Sequence, residues 1–335
     1  MADYLKTVAK RKILVTGATG FIGRKLCLSL KEKGYIIRAA VRGKVRDVSG
    51  SEEYVEVGDI DELTDWQQAL TGVDTVIHLA ARAHILNDLA ASPSDIFRKI
   101  NALGTERLAK MAAEAGVRRF IFISSVKVNG EGSVLAYTEK DIPAPQDAYG
   151  SSKQEAEGLL ASLAAQTKLE VIILRLPLVY GPGVKANFKN LIKIIGSGIP
   201  LPFKRINNRR SFIYLGNLVD AIIICITHPL AAGQTFMLSD GRDVSTSDLI
   251  KMIASAMHKR VVLFFLHPDI LRVLGKILVR AEEMEKLTGS LFVDSGKIRK
   301  LLDWKPPFTM EEGIRETFKG VEIASPAADS MAGSQ

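Results

Sequence analysis

The sequence predicts an α/β fold: a doubly wound parallel sheet with helices on both faces, followed by a smaller C-terminal α/β lobe. Three observations carry this. Short β-rich apolar runs alternate with amphipathic helical stretches over the first half, and strand–helix–strand alternation at that spacing implies parallel pairing with both faces covered. The first run, Ile13-Leu14-Val15, breaks at Gly17 and gives way to a helical pattern near Gly20. After Tyr180-Gly181-Pro182-Gly183 the alternation becomes irregular, with Gly196, Gly198, Pro200 and Pro202 as punctuation, which marks a second lobe.

Taken in order, strands are expected at Ile13–Val15, Ile36–Val41, Tyr54–Val57, Thr75–Leu79, Phe120–Ser124 and Val171–Leu176, with helical patterns at 21–33, 62–70, 95–115 and 150–166. Right-handed crossovers bring the strand C-termini to one edge, where ligands bind. That edge collects Gly17, Leu79, Ser125 and Leu176. Gln234–Leu238 is expected to rejoin the sheet as a last strand, and 269–280 reads as an amphipathic helix. The chain therefore divides into residues 1–180, with part of 212–238 returning to them, a second lobe over 181–323, and a small polar tail, 324–335, expected to fray.

Composition is that of a globular protein: 47% apolar and 24% charged residues over 335 positions suffice for a large core. Cys27 and Cys225 lie in apolar, helix-like runs and read as buried thiols rather than a disulfide or metal pair. The first ten residues lack the apolar stretch of a signal peptide, and no segment approaches the ~20 apolar residues that span a bilayer. A cytoplasmic protein without membrane insertion is expected. The net charge of +8 is scattered, with small basic groups at 9–12, 42–46 and 204–210. Nucleic-acid binders usually cluster such charge among aromatics, so the sequence favours a solvated surface or a small polyanionic ligand over nucleic acid.

Glycines at 17, 20 and 23 remove side chains where a turn must approach something bulky, and a helix N-terminus there offers N–H groups and partial positive charge to a pyrophosphate. A purely structural tight turn is the alternative. Much further on, Tyr149 and Lys153 stand four apart at the start of a predicted helix, on one face. A free phenol titrates near 10, too high for proton transfer at neutral pH, and a neighbouring ammonium lowers it. The pair follows a strand ending in Ser124-Ser125. The histidines, His78, His84, His228, His258 and His267, show no metal-ligand spacing, so no metal is expected; His78 reads as a partly buried strand residue. No Gly-x-Ser-x-Gly elbow points to acyl transfer.

Together these residues resemble the short-chain dehydrogenase/reductase superfamily in its extended, Rossmann-type form, the NAD-dependent epimerase/dehydratase family acting on sugar nucleotides. The resemblance spans Lys12 to about Trp304. It implies a dinucleotide loop formed by Gly17, Thr19, Gly20, Phe21, Ile22 and Gly23, and an adenine-side segment at Asp59 and Ile60. It also implies a cofactor-lining strand end at Leu79, Ala80 and Ala81, and a further cofactor contact at Leu176. Tyr149 and Lys153 match the catalytic pair, both also touching cofactor. Ser125 matches the hydroxyl that polarises the substrate oxygen, and Asn101 a buried Asn that steadies the active-site backbone. In the second lobe Asn187 and Arg210 match residues that hold a sugar-nucleotide diphosphate; a loop cap and a surface charge are their plain alternatives. Relatives often dimerise through the helices near 95–115 and 150–166, so a homodimer is expected.

Four positions depart from the family pattern. Arg42 stands where NAD-preferring enzymes carry an acidic residue for the ribose 2′-hydroxyl, which leans the cofactor toward NADP, with NAD the alternative if Arg42 only stacks on adenine. Leu178 replaces a sugar-contacting Asn. Lys127 stands two residues after Ser125, where something small is usual, and either reaches the substrate or faces solvent. A second diphosphate arginine before Asp294 is missing, with Arg280 and Lys286 as substitutes. Val126 and Lys127 occupy the Asp-Glu positions of 4,6-dehydratases, which excludes elimination by that route. The implied function is oxidation–reduction or epimerisation at C4 of a UDP-sugar, a UDP-N-acetylhexosamine or its 4-keto-6-deoxy derivative, in surface-polysaccharide precursor synthesis. UDP-glucose 4-epimerisation, a non-catalytic dinucleotide sensor, and reduction of a non-nucleotide ketone are the alternatives.

Overall fold

The computed structural model describes residues 11–44, 48–83, 93–184, 186–267, 270, 285 and 287–319. Arg46, Arg280, Lys286, His84, the 269–280 stretch apart from Ile270, and the 324–335 tail lie outside them. Seven strands form the main sheet: β1 (Lys12–Thr16), β2 (Ile36–Val41), β3 (Glu53–Glu56), β4 (Thr75–His78), β5 (Arg119–Ser125), β6 (Glu170–Leu176) and β9 (Thr235–Met237). They pair in the order β3-β2-β1-β4-β5-β6-β9, every pair parallel. The order reverses between β1 and β4, which opens a crevice at the strand C-termini there. The β5–β6 register runs from Arg119↔Glu170 to Ser125↔Leu176, so these last two residues reach the edge side by side.

Alternation along the strands builds two apolar layers, as period-2 side chains must. Ile13, Val15, Ile121 and Ile172 face α1 (Phe21–Glu32) and α7 (Leu215–Thr227), with Leu26, Leu30 and Leu218 in the same cluster. Leu14, Phe120 and Phe122 point the other way, against Leu108 of α4 (Gly104–Glu114) and Leu160 of α5 (Ala148–Gln166). A third cluster, including Tyr180, Phe188, Phe212 and Ile253, lies in the second lobe. It packs a two-stranded parallel sheet, β7 (Leu178–Tyr180) with β8 (Phe212–Tyr214), against α6 (Ala186–Gly196), α8 (Thr246–Ala256) and α10 (Met310–Phe318); α9 (Gly296–Leu302) precedes α10.

Two helical expectations are redrawn. Over 62–70 only Gln67–Leu70 (α2) is helical. Upstream, Asp61 Oδ1 accepts from Leu63 N at 2.9 Å and Thr64 Oγ1 accepts from Asp61 N at 2.9 Å, and such local side-chain bonds compete with helix formation. The 95–115 stretch is three pieces: α3 (Pro93–Phe97), a π-helical turn (Arg98–Leu103), then α4. The wider turn carries Asn101, a placement typical of functional π-bulges. No described helix is long and apolar enough to cross a membrane.

Candidate active site

The β1–α1 turn is built around two glycines. Gly17 has φ +68°, and a Cβ on it would lie 2.9 Å from Ala80 N. The end of β4 therefore presses directly on the turn. A Cβ on Gly23 would lie 2.2 Å from Gly17 O, which no neighbour shift accommodates. Helix α1 starts without a side-chain cap and without an acidic residue in its first turn. Its leading N–H groups and dipole are left for an anion. The cradle and this N-terminus fit a dinucleotide pyrophosphate. Toward the adenine side, Arg42 and Asp59 form an ion pair at 2.9 Å with both side chains over 80% exposed.

Behind the turn a buried hydrogen-bond chain ties four elements together. Ala80 N donates to Thr16 Oγ1 at 3.1 Å, Thr16 Oγ1 meets His78 Nδ1 at 2.7 Å, His78 Nε2 meets Thr105 Oγ1 at 3.0 Å, and Thr105 Oγ1 donates to Asn101 O at 2.7 Å. Each hydroxyl has one proton, so the chain runs in one direction. Thr105 is committed to Asn101 O and accepts from His78 Nε2–H; Thr16 then donates to an unprotonated Nδ1. An imidazolium would break this chain, and burial holds His78 down to about 3. Asn101 continues the link: Oδ1 accepts from Arg82 N at 2.8 Å, and Nδ2 donates to Arg82 O and Ser152 Oγ, each at 3.0 Å. The strand end expected to line the cofactor is thereby bound to the helix carrying Tyr149 and Lys153.

Ser125 ends β5, and Tyr149 opens α5 within hydrogen-bond reach of it. Burial and the Asp147 carboxylate push the Tyr149 phenol up to about 12, against the Ser125 hydrogen bond. Lys153 is 2% exposed. Its Nζ donates to Ile123 O at 2.8 Å and lies 4.3 Å from the centre of the Phe122 ring. Burial brings it down to about 7, with Glu157 opposing. The sequence expectation that Lys153 lowers Tyr149 is therefore not the arrangement seen. The ammonium is engaged by a carbonyl and a ring, and burial drives both groups toward neutrality.

Beneath this pair lies a network that sequence spacing does not reveal. Glu157 of α5 accepts from Arg175 Nη2 at 2.6 Å and from Ser124 Oγ at 2.5 Å, and Arg175 Nη1 donates to Asn129 at 3.0 Å. Both charged side chains are under 10% exposed. Helix α5, the two strands beneath it and the loop after Ser125 are thus pinned at one point. Lys127 sits in a 3₁₀ turn (Val126–Val128), with Nζ between Glu131 (2.6 Å) and Asp147 (2.5 Å).

The second-lobe residues stand apart from this cluster. Leu178 is half-buried at the start of β7, and Asn187 falls in the first turn of α6. Arg210 bridges two segments by backbone, exchanging hydrogen bonds with Val244 at 3.0 Å each way, and its Nη1 donates to Gly289 O at 3.1 Å. Burial lowers its pKa, and the Glu131 carboxylate opposes that. The arginine expected at a diphosphate is thus tied to Gly289 and Val244, with the Glu131 charge acting on it.

The model of the NAD dependent epimerase/dehydratase family matches residues 13–238. The chain is 45% identical over 311 residues to a UDP-glucose 4-epimerase from Vibrio cholerae, covering 92% of this chain and 94% of that one. It is 27% identical to the N-acetyl-alpha-D-glucosaminyl-diphospho-ditrans,octacis-undecaprenol 4-epimerase of Escherichia coli O157:H7, covering 92% and 94%. The structure of MoeE5 in complex with UDP-glucose and NAD superimposes with a TM-score of 0.72 at 25% identity, covering 92% of this chain and 97% of that one.

Proposed function

From the premise that this chain belongs to the NAD dependent epimerase/dehydratase family, we propose that it is an NAD-dependent enzyme acting at C4 of a UDP-hexose or UDP-N-acetylhexosamine, and that it inverts that centre. The observation that carries the reading is that the end of β5, with Ser125, and the first turn of the helix that carries Tyr149 and Lys153 meet at the ligand-binding side of a sheet whose first turn is shaped for a pyrophosphate. The similarity to two 4-epimerases supports inversion over net reduction.

Ser125 holds the C4 oxygen. Tyr149 as the phenolate accepts the hydroxyl proton during oxidation, and the resulting phenol returns it during reduction, so one residue serves both directions. NAD would be held by the 17–23 turn and Lys153 and would supply the hydride acceptor and donor. Asn187 and Arg210 hold the diphosphate; a planar guanidinium suits that contact. Inversion requires the 4-keto ring to present its other face before the hydride and the proton return. Arg42 is shared with Asp59 and is compatible with NAD. A 2′-phosphate would have to compete with that carboxylate.

Incubating the NAD-loaded protein with UDP-glucose, UDP-GlcNAc and a UDP-4-keto-6-deoxy-HexNAc separates the readings. Conversion of either of the first two to its C4 epimer supports the proposal. Stoichiometric consumption of reduced cofactor by the keto sugar, without epimerisation of the others, replaces it with 4-keto reduction. Turnover of a non-nucleotide ketone alone would sink both.

A further inference from the structure

We propose that Lys127 is a positioning residue for the proton-transfer step: it locks the loop that follows Ser125 to the N-terminal cap of the helix that carries Tyr149. The proposal rests on the reading of Tyr149 and Ser125 given above, and adds a residue that acts through them rather than on the substrate.

Three separate parts of Lys127 make the joint. Its backbone N donates to Ser125 Oγ at 3.2 Å. Its carbonyl oxygen faces the first turn of α5 so closely that a Cβ on Gly150 would lie 2.7 Å from it. Its Nζ donates to Asp147 Oδ2 at 2.5 Å, while Asp147 Oδ1 caps α5 by accepting from Gly150 N at 2.6 Å. Glu131 closes the loop on itself through the same ammonium at 2.6 Å. The Lys127 side chain is only 23% exposed. It is held from two sides by carboxylates, which keep its pKa above the ordinary value despite burial. A lysine so engaged would have to break both ion pairs to reach a sugar.

The joint is also electrostatic. The charged group that acts on Tyr149 is Asp147, the cap of its own helix; Lys153 follows one turn on, and on the loop Lys127 pairs with Asp147 and Glu131. β5 contributes the Ser125 hydroxyl and α3 the edge of the Phe97 ring, and Arg98 of the π turn is paired with Glu155. The Glu131 charge also acts on Arg210 of the second lobe. Asp147 opposes ionisation of Tyr149. Lys127 is ion-paired with that carboxylate; without Lys127 the Asp147 charge is left without this partner, and proton acceptance by the phenol becomes harder.

The test is a series on the full chain loaded with NAD: Lys127→Met, Lys127→Arg, and Lys127→Met combined with Asp147→Asn, which keeps a capping side chain. Amide hydrogen exchange needs no substrate. Peptides covering 126–131 and 147–153 should exchange about tenfold faster in Lys127→Met and stay near wild type in Lys127→Arg, since arginine also bridges two carboxylates. With the UDP-sugar that wild type turns over, Lys127→Met should lower kcat by about 10–100-fold at little-changed KM. The acidic limb of its pH profile should move upward, and the Asp147→Asn partner should bring that limb back. Unchanged exchange in Lys127→Met, or a rise confined to KM, overturns the proposal. A wild type that exchanges as described yet turns over no UDP-sugar overturns the substrate reading instead, and the exchange result still decides the joint.

Discussion

Acidification to pH 5 should cost this protein stability through His78. The buried chain from Ala80 to Asn101 requires a neutral imidazole with its proton on Nε2, and burial holds its pKa to about 3 against 6.5 for the free side chain. The folded value is depressed, so between these limits the unfolded chain binds a proton that the folded chain does not. The stabilisation is complete above 6.5 and is lost as pH falls toward 3, at about 1.4 kcal/mol per pH unit. By pH 5 the loss is about 2 kcal/mol. The carboxylates whose pKa values are lowered, Glu53, Asp61, Asp74, Asp248 and Glu312, lose stability only below their unfolded values. Lys153, brought down to about 7, and Asp240, raised by burial, are present in wild type and in a His78→Gln variant alike, so over the window from 7 to 5 the difference between the two isolates His78. Urea unfolding at the two pH values, on wild type and on His78→Gln, measures it. Wild type should lose about 2 kcal/mol more than the variant over that interval. Equal losses would refute the neutral relay.

Glu157→Ala should destabilise by about 3–5 kcal/mol, because it strands the Arg175 guanidinium in a buried site; chemical denaturation reads this, and replacing both partners by apolar residues should recover most of it. Gly23→Ala should weaken NAD binding by about tenfold or more in calorimetry, since the added methyl falls on Gly17 O. Asp59→Ala should release Arg42 and raise the NADPH-to-NADH affinity ratio by about two- to fivefold, with Arg42→Asp lowering it, as befits an exposed pair.

Legibility in the sequence followed the physics of each segment. Ile36–Val41 is an apolar run broken only by Arg38, and it is a strand over the same residues. The three-residue strands Leu178–Tyr180 and Phe212–Tyr214 carry no alternation long enough to read, because they exist through pairing with each other. Helix Leu215–Thr227 is apolar on most of its surface, which hides its period. In the site, Gly17, Ser125, Tyr149 and Lys153 announce themselves by chemistry at set spacing. Glu157, Asp147 and Thr105 do not. Their roles depend on partners such as Arg175, Lys127 and His78, which only the folded topology brings near. The direction of the pKa shifts at Tyr149 and Lys153 was hidden for the same reason: helix spacing shows that two residues share a face but not how deeply both are buried.

The central claim is that Tyr149 moves the C4 proton. The direct measurement compares turnover of UDP-glucose or UDP-GlcNAc by wild type and Tyr149→Phe, each saturated with NAD, with NAD affinity determined in parallel. The account predicts a fall in kcat of about 10²–10⁴ with NAD binding retained. A Tyr149→Phe variant that epimerises at close to the wild-type rate would contradict it.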